Sequence, residues 1–511
     1  MTHALGIDVG TTNAKVALVD ETGRLVAAAA RPITTTRDGE VATQDPAELW
    51  AAVVGAVREV VGAAPAAAAD VAHIGIDSQY SSTVPVDAHG DPVGPLIMYL
   101  DYRGTDHCLG ILERDPDAFM MFIERHGIPP VGAGLSLSHV LHFQLDEPDV
   151  HARTTAYLEV MEFVGARLTG VIAANQCTAF TSQLIDNRVL GATSYDPDLV
   201  AASGVEVDRL PQLRPMDEPL GPVLPAIADE LGIPAGAMVH AAINDSHAGA
   251  IATGARDDAR IGLMIGTTSV MLDTTEKHGT DLDHEVLSMP SPFPGEYLVW
   301  AENGLSGKVV EHVLERMVHA SDELADHSTT DPFAELDTVL GAVAPGSGNV
   351  LFLPWLSGSL SPTADGNARG GFVGLSLDTE RRHLVRAVIE GVSLNLGWLL
   401  PVVEGFSGHR GDEIVFGGGA ARSHQWVQTL ADILDRPVAP LRDPHQTIAR
   451  ATALYALYRG RVLTDADLAG MVDTIGVVEP RAEHRATYER LQTQFVAAFE
   501  ALRPISAALN A

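Results

Sequence analysis

Two apolar runs, Leu5 to Val9 and Ala14 to Val19, flank the polar link Gly10-Thr11-Thr12-Asn13, a pattern that predicts strand, turn and strand. Gly10 lets the backbone turn, and the hydroxyls of Thr11 and Thr12, the Asn13 amide and the backbone N–H groups can converge into a concavity suited to phosphate oxygens. Asp8 lies inside an otherwise apolar strand, where an acid is costly unless a metal ion or a water shell partners it. An ordinary hairpin with a polar turn has the same pattern. The pattern returns at Ile261 to Asp273, IGLMIGTTSVMLD, with Gly266-Thr267-Thr268 at its turn. Gly10 and Gly266 lie 256 apart (266 − 10), half of a 511-residue chain, as two related halves would place them. Met264 stands where the first copy has Asp8, so only the first hairpin offers a metal-linked carboxylate.

Between the hairpins, a helix is predicted from Pro46 to about Val61, with Asp45 as its cap, Pro46 at the first helical position and Glu48 completing a capping box. Val71 to Ile76 reads as a buried strand ending in Asp77-Ser78-Gln79-Tyr80-Ser81-Ser82. Polar residues beyond a strand's carboxyl end are favoured ligand positions in open α/β sheets, and a plain polar loop is the other reading. Thr83 to Asp87 is a strand, and Pro95 to Leu100 leads into Asp101-Tyr102-Arg103, readable as a surface ion pair. Pro130 to Glu147 reads as a loop and an amphipathic helix, with His139 and His142 as satisfied helix residues rather than metal ligands. Tyr157 to Leu168 is read as a helix stopped at Thr169-Gly170. A short helix closed by Gly232 and Pro234 delivers the chain to a strand, Ala237 to Ile243. Asp245 follows at the start of a helix, where an acid serves as general base or as N-cap.

In the second half, Phe352 to Leu375 is a Gly-, Ser- and Pro-rich segment and Glu380 to Val403 a long core helix. Ile414 to Phe416 is a strand running into Gly417-Gly418-Gly419-Ala420 and a helix from about Gln425 to Leu434, an order in which backbone can lie flat against a purine or phosphate. Arg450 to Leu457 is an alanine-rich helix, and Ala482 to Leu502 a terminal amphipathic one.

Composition narrows the partners. The formal charge is −34, with 67 acids against 33 basic residues, and Lys15, Lys277 and Lys308 are the lysines. That balance argues against nucleic acid or an anionic membrane, while leaving room for a small anionic ligand held by local donors. Cys108 and Cys177 form no framework or metal spacing and suit a reducing cytosol. With no basic segment before the first apolar run and no uninterrupted apolar stretch of about 18 residues, neither a signal peptide nor a membrane span is expected.

Taken in order, GIDVGTTNAK, RLTG at Arg167 to Gly170, ELGIPAG at Glu230 to Gly236, NDSHAGA at Asn244 to Ala250, IGTTSVM at Ile265 to Met271, FLPWLSG and NARGGFVGLSLD within Phe352 to Asp378, and GGGAARS with LADILDRPV at Gly417 to Val438 resemble the FGGY family of carbohydrate kinases. The resemblance implies an α/β fold of two actin-like (ribonuclease H-like) ATPase domains flanking a catalytic cleft, residues 1–248 carrying the sugar and the base and 249–511 the nucleotide. It implies Mg2+ at Asp8, ATP phosphates at Thr11, Thr12, Asn13, Gly266, Thr267 and Thr268, and adenosine at Gly417, Gly418, Gly419 and Ala420. Asp245 would be the catalytic base, lining the sugar pocket with Gln79, Tyr80, Ser81 and Asp101.

Substrate choice is where the chain departs from the family pattern. The Gln-Met-His-Gly of xylulokinases is Gln79-Tyr80-Ser81-Ser82 here, the Trp-Asn-Asp or Trp-Gln-Asp segment is Tyr99-Leu100-Asp101, and Gly-Glu-Arg is Gly358-Ser359-Leu360. The resemblance therefore implies a cytoplasmic ATP- and Mg2+-dependent kinase of a small sugar or polyol, by default a ketopentose such as D-xylulose. A ribulokinase or polyol kinase is the alternative, and an actin-like ATPase or sugar sensor without kinase activity is the reading from another class. A homodimer is left open.

Overall fold

The computed structural model describes residues 1–510 apart from 133, 324–326, 328 and 330. Two sheets organise it. In the first, β1 (His3–Val9) and β2 (Asn13–Asp20) form the antiparallel hairpin, β3 (Leu25–Pro32) continues it, and β4 (Val71–Ser78) runs parallel to β1 on the other side. Short strands β5 (Gly221–Pro222) and β6 (Met238–Val239) complete the order β5-β6-β4-β1-β2-β3. The second sheet is built from β7 (Arg260–Ile265), β8 (Thr268–Thr275), β9 (Thr280–Asp281), β10 (Val286–Pro290), β11 (Tyr297–Leu305), β12 (Glu413–Gly417) and β13 (Val438–Pro440). Its order, β9-β10-β11-β8-β7-β12-β13, repeats the plan of the first: a hairpin, a third antiparallel strand beside its second arm, and parallel strands beside its first. The repeat seen at Gly10 and Gly266 is thus a repeat of whole sheets.

Alternation along β1 decides what covers each face. Leu5, Ile7 and Val9 join a core with Leu49, Val53, Val57 and Val60 of helix α1 (Pro46–Ala63), each fully buried side chain contributing about 1.5–3 kcal/mol. Ala4, Gly6 and Asp8 alternate to the opposite face. That face receives α5 (Thr447–Arg459), which comes from the second half of the chain, while α2 (Asp245–Thr253), from the first, packs on β7 and β8. Backbone contact makes the first exchange possible. Gly6 and Gly75 are register partners, and a Cβ on Gly6 would lie 1.9 Å from the Ala449 carbonyl oxygen and one on Gly75 2.3 Å from that of Thr452. The helices α3 (Arg381–Ser407) and α4 (His424–Leu434) cover the second sheet. α3 is the one described helix long and apolar enough to cross a membrane, and its most apolar window is 72% buried in this core.

Four local expectations are corrected. Tyr157 to Glu159 belong to a buried strand, Ala156–Glu159, paired with Thr83–Val86, and the helix begins at Val160 with Glu159 as its cap. The ladder expected over Ala237 to Ile243 is regular for Met238–Val239 alone: His240 N–H bonds the Ile74 carbonyl and Ile243 N–H that of Ile76, so the chain carries an extra residue there, and the carbonyl of Ala242 accepts from the Asn175 side-chain amide at 2.9 Å. Glu48 accepts the Thr34 N–H at 3.0 Å instead of closing a capping box, so Asp45 caps α1 by itself through the Ala47 N–H. Asp101 is no surface partner of Arg103: it is fully buried. The helix within Pro130 to Glu147 spans Ser136–Asp146, and residue 133 of that segment lies outside the described residues.

Candidate functional site

Three carboxylates and one lysine meet where the carboxyl ends of β1 and β4 reach the start of α2. Asp8 and Asp77 are register partners on parallel strands, and Lys15, opposite Asp8 across the hairpin, places Nζ 2.9 Å from Asp8 Oδ2. Burial alone would lower the pKa of Lys15; the field of Asp8, with smaller contributions from Asp77 and Asp245, raises it above the ordinary lysine value. Asp77 accepts a hydrogen bond from Thr452 Oγ1 of α5, and its Oδ1 finds no partner among the described residues. Burial, reinforced by Asp8, pushes its carboxyl well above the usual range. Asn244, and not Asp245, caps α2: its Oδ1 takes the His247 N–H at 2.9 Å. Asp245 is the first helical residue, partly exposed, and burial followed by the charge of Asp8 raises it to about 6. An acid so raised is suited to take a proton near neutral pH.

The two turns close differently. Gly10 N–H bonds the Asn13 carbonyl at 3.0 Å, over Thr11 and Thr12, whereas Gly266 N–H bonds that of Thr268 at 2.9 Å, over Thr267 alone, a turn one residue shorter. Thr11, Asn13 and Thr268 are partly exposed, and Thr12, Gly266 and Thr267 are exposed. At the register occupied by Asp8 and Asp77, the second half has Met264 and Gly417. A Cβ on Gly417 would meet Met264 Sδ at 2.5 Å, and one on Gly418, whose φ is +88°, would meet the Ile265 carbonyl oxygen at 2.2 Å. Gly419 faces open space, with nothing within 4 Å of its would-be Cβ. Beyond Ala420, the N-terminus of α4 is already occupied by the Asp337 carboxylate, which accepts from Ser423 Oγ and the N–H groups of His424 (3.2 Å) and Gln425 (3.3 Å). The helix start thus has its negative partner within the chain, and exposed backbone remains at Gly419.

Gln79, Tyr80 and Ser81 follow β4. Gln79 Nε2 donates to Gln44 Oε1 at 2.9 Å, and Gln44 Nε2 donates to the Thr11 carbonyl at 2.8 Å, so this loop is wired to the first turn. Tyr80 donates its hydroxyl to the Cys177 carbonyl at 2.7 Å. Asp101 commits both oxygens to Arg103 and to the Ala42 N–H; burial pushes its carboxyl up, but Arg103 and these donors hold it below the ordinary value. Two further residues come into the site. Tyr99 shares a 3.3 Å hydrogen bond with the Thr11 hydroxyl. Glu302, on β11 near Thr268, is raised to about 7 by burial, with the charge of Asp245 adding to the rise. Its signal in the sequence is an acid directly after the apolar run Tyr297 to Ala301, whereas Asp8 lies within one.

A doubled hairpin sheet with acids and a lysine beside the turn of one half, and a strand, glycine run and helix in the other, defines the class, a two-domain ATPase-type fold arranged for phosphoryl transfer. The N-terminal domain model of the FGGY family of carbohydrate kinases matches residues 3–252, and its C-terminal domain model residues 262–459. Among individual proteins, the xylulose kinase of Staphylococcus epidermidis is 24% identical over 507 residues, 99% of this chain and 98% of that one. The gluconokinase of Bacillus subtilis is 23% identical over 498 residues, 97% and 95% of the two chains. The crystal structure of the xylulose kinase from Rhodospirillum rubrum superposes with a TM-score of 0.85 at 25% identity, over 99% of this chain and all of that one. The chain belongs to the FGGY family of carbohydrate kinases, and it is a sugar kinase with the two actin-like domains of that fold.

Proposed function

We propose that this kinase transfers the γ-phosphoryl group of ATP to a hydroxyl of a small sugar or polyol, with a ketopentose such as D-xylulose as the first candidate. The observation that carries the reading is Asp245: a helix-start acid, uncommitted to capping, raised by burial and by Asp8 into the range where a base works at neutral pH. Asp245 takes the proton of the sugar hydroxyl as that oxygen attacks in line. The turns at Thr11 to Asn13 and Gly266 to Thr268 hold the phosphates from two sides, and Gly417 to Ala420 seats the adenosine against backbone that carries no charge. Gln79, Tyr80, Ser81 and Asp101 shape the sugar side, Asp101 by fixing Arg103 and the Ala42 backbone.

The acids fit a hard divalent cation. Oxygen donors, excess negative charge around Lys15 and the unpartnered Asp77 Oδ1 suit Mg2+, which Asp8 would hold. When bound, Mg2+ neutralises charge on the transferring phosphates. The similarity to named xylulose kinases and gluconokinases supports a sugar or sugar-acid acceptor, and two buried free thiols support a cytoplasmic setting.

The test is coupled ADP release with ATP and Mg2+ against ketopentoses, aldopentoses, pentitols, tetritols, glycerol and gluconate, run beside Asp245→Ala. Stimulation by one class, lost in the variant, supports the reading and names the acceptor. ADP release indifferent to every compound would sink it.

A further inference from the structure

Ser81 is held in the left-handed region, at φ +53°, where a residue with a Cβ rarely rests. Its own side chain does not hold it there, because Ser81 Oγ is buried and finds no partner among the described residues. The restraints lie on either side. Gln79 N–H bonds the Val9 carbonyl at 2.8 Å at the end of β1, and Tyr80 is anchored through its hydroxyl to Cys177. Ser82 N–H, immediately after the bend, donates to Glu159 Oε2 at 2.9 Å. The other oxygen of Glu159 accepts from Thr181 Oγ1 at 2.6 Å and from Ser136 Oγ, and these two hydroxyls also bond each other at 3.0 Å. Glu159 is itself the N-cap residue of the helix that begins at Val160, and its N–H donates to Glu162 Oε2 at 2.9 Å. A buried acid thus reaches from a helix cap to the backbone of the loop that follows β4, with the Ser82 N–H and two hydroxyls gathered on its carboxyl oxygens.

We infer that Glu159 is a positioning residue for the acceptor pocket: by taking the Ser82 N–H it keeps Ser81 in its left-handed bend and so fixes where Gln79 and Tyr80 meet the sugar. The inference rests on the reading of residues 79–82 as the acceptor side of the cleft. What Glu159 supplies is an acceptor at one place, so a glutamine, whose amide oxygen can take the same N–H, should serve while an alanine should not. The S81G change should make the external hold unnecessary, because glycine adopts positive φ without a clash.

The test measures KM and kcat for both substrates in E159A, E159Q, S81G and the double variant S81G/E159A, using the acceptor identified by the panel. E159A is expected to raise the sugar KM by about tenfold with the ATP KM unmoved, and E159Q to stay within about twofold of the parent. In the S81G background, removing Glu159 should cost less than about threefold, the coupling expected if it acts through the bend. Equal costs in the two backgrounds, a parallel rise in the ATP KM, or an E159Q as impaired as E159A would each overturn the proposal. If E159A does not fold, Thr181→Val, which loosens the carboxylate from its far side, takes its place; a sugar KM raised about threefold supports the proposal and an unmoved one overturns it. A parent chain that phosphorylates no compound overturns the kinase reading together with this one, whereas a working kinase with an unmoved sugar KM overturns this one alone.

Discussion

Asp8 and Asp77 stand side by side at matched register on parallel strands, and Met264 and Gly417 occupy the corresponding pair in the second half. One half of a duplicated frame therefore concentrates negative charge beside a single lysine, and the other offers a neutral sulfur over a glycine. The two acids are not equivalent. Asp8 is paired with Lys15, while Asp77 is buried against Thr452 and held towards its protonated form. Asp8→Asn should lower kcat by about 10²–10³-fold, and Asp77→Asn by less than about tenfold, in steady-state assays with the preferred acceptor. Chelating divalent cations with EDTA should stop turnover of the parent enzyme, and added Mg2+ should restore it.

Asp245→Asn removes the proposed base but keeps the shape of the helix start, since Asn244 does the capping. Its kcat should fall by about 10³-fold or more while the ATP KM stays within a few-fold. A variant retaining more than a tenth of parental kcat would remove Asp245 from the role of base.

The same substitution should alter stability in a direction set by the pKa. The folded chain binds the Asp245 proton more tightly than the unfolded chain, whose aspartates titrate near 3.9, so stability is lost as pH rises from about 4 through about 6. Above that window the buried charge is a cost. Thermal or urea unfolding without ligands should show Asp245→Asn more stable than the parent by about 1–2 kcal/mol at pH 8, the gap closing towards pH 4. A gap independent of pH would mean that packing, not ionisation, explains it.

The two glycines after β12 should separate by role. Gly418→Ala puts a Cβ 2.2 Å from the Ile265 carbonyl at a positive φ, and should destabilise the chain by about 3 kcal/mol or more in urea melts. Gly419→Ala meets nothing within 4 Å, so the melt should move by less than about 0.5 kcal/mol while the ATP KM rises several-fold from a methyl group on the proposed nucleotide surface.

Both hairpins, the order strand, glycine run, helix, and the position of Asp245 were legible in the sequence because they rest on local signals: apolar periodicity, turn glycines and small polar caps. The reach of α5 across to the first sheet was not. It depends on Gly6 and Gly75 meeting residues of Thr447–Arg459, contacts between positions hundreds of residues apart that leave no mark on local pattern. Tyr157 to Glu159 misled because a buried strand and a buried helix start are equally apolar. Asp101 and Arg103, two apart, read as a surface pair until the Ala42 N–H and full burial are seen. Glu159 looked like an interior helix residue, and its role depends on a loop 77 residues away.

The exchange of α2 and α5 between the sheets also sets an order of events during synthesis. One face of the first sheet, with its bare glycine groove, leaves the ribosome several hundred residues before the helix that covers it. At roughly 5–20 residues per second the groove waits tens of seconds for Ala449 and Thr452 to arrive. The first half is therefore not finished when its own last residue is made, and the nascent chain depends on its distant half for the covering of Asp77.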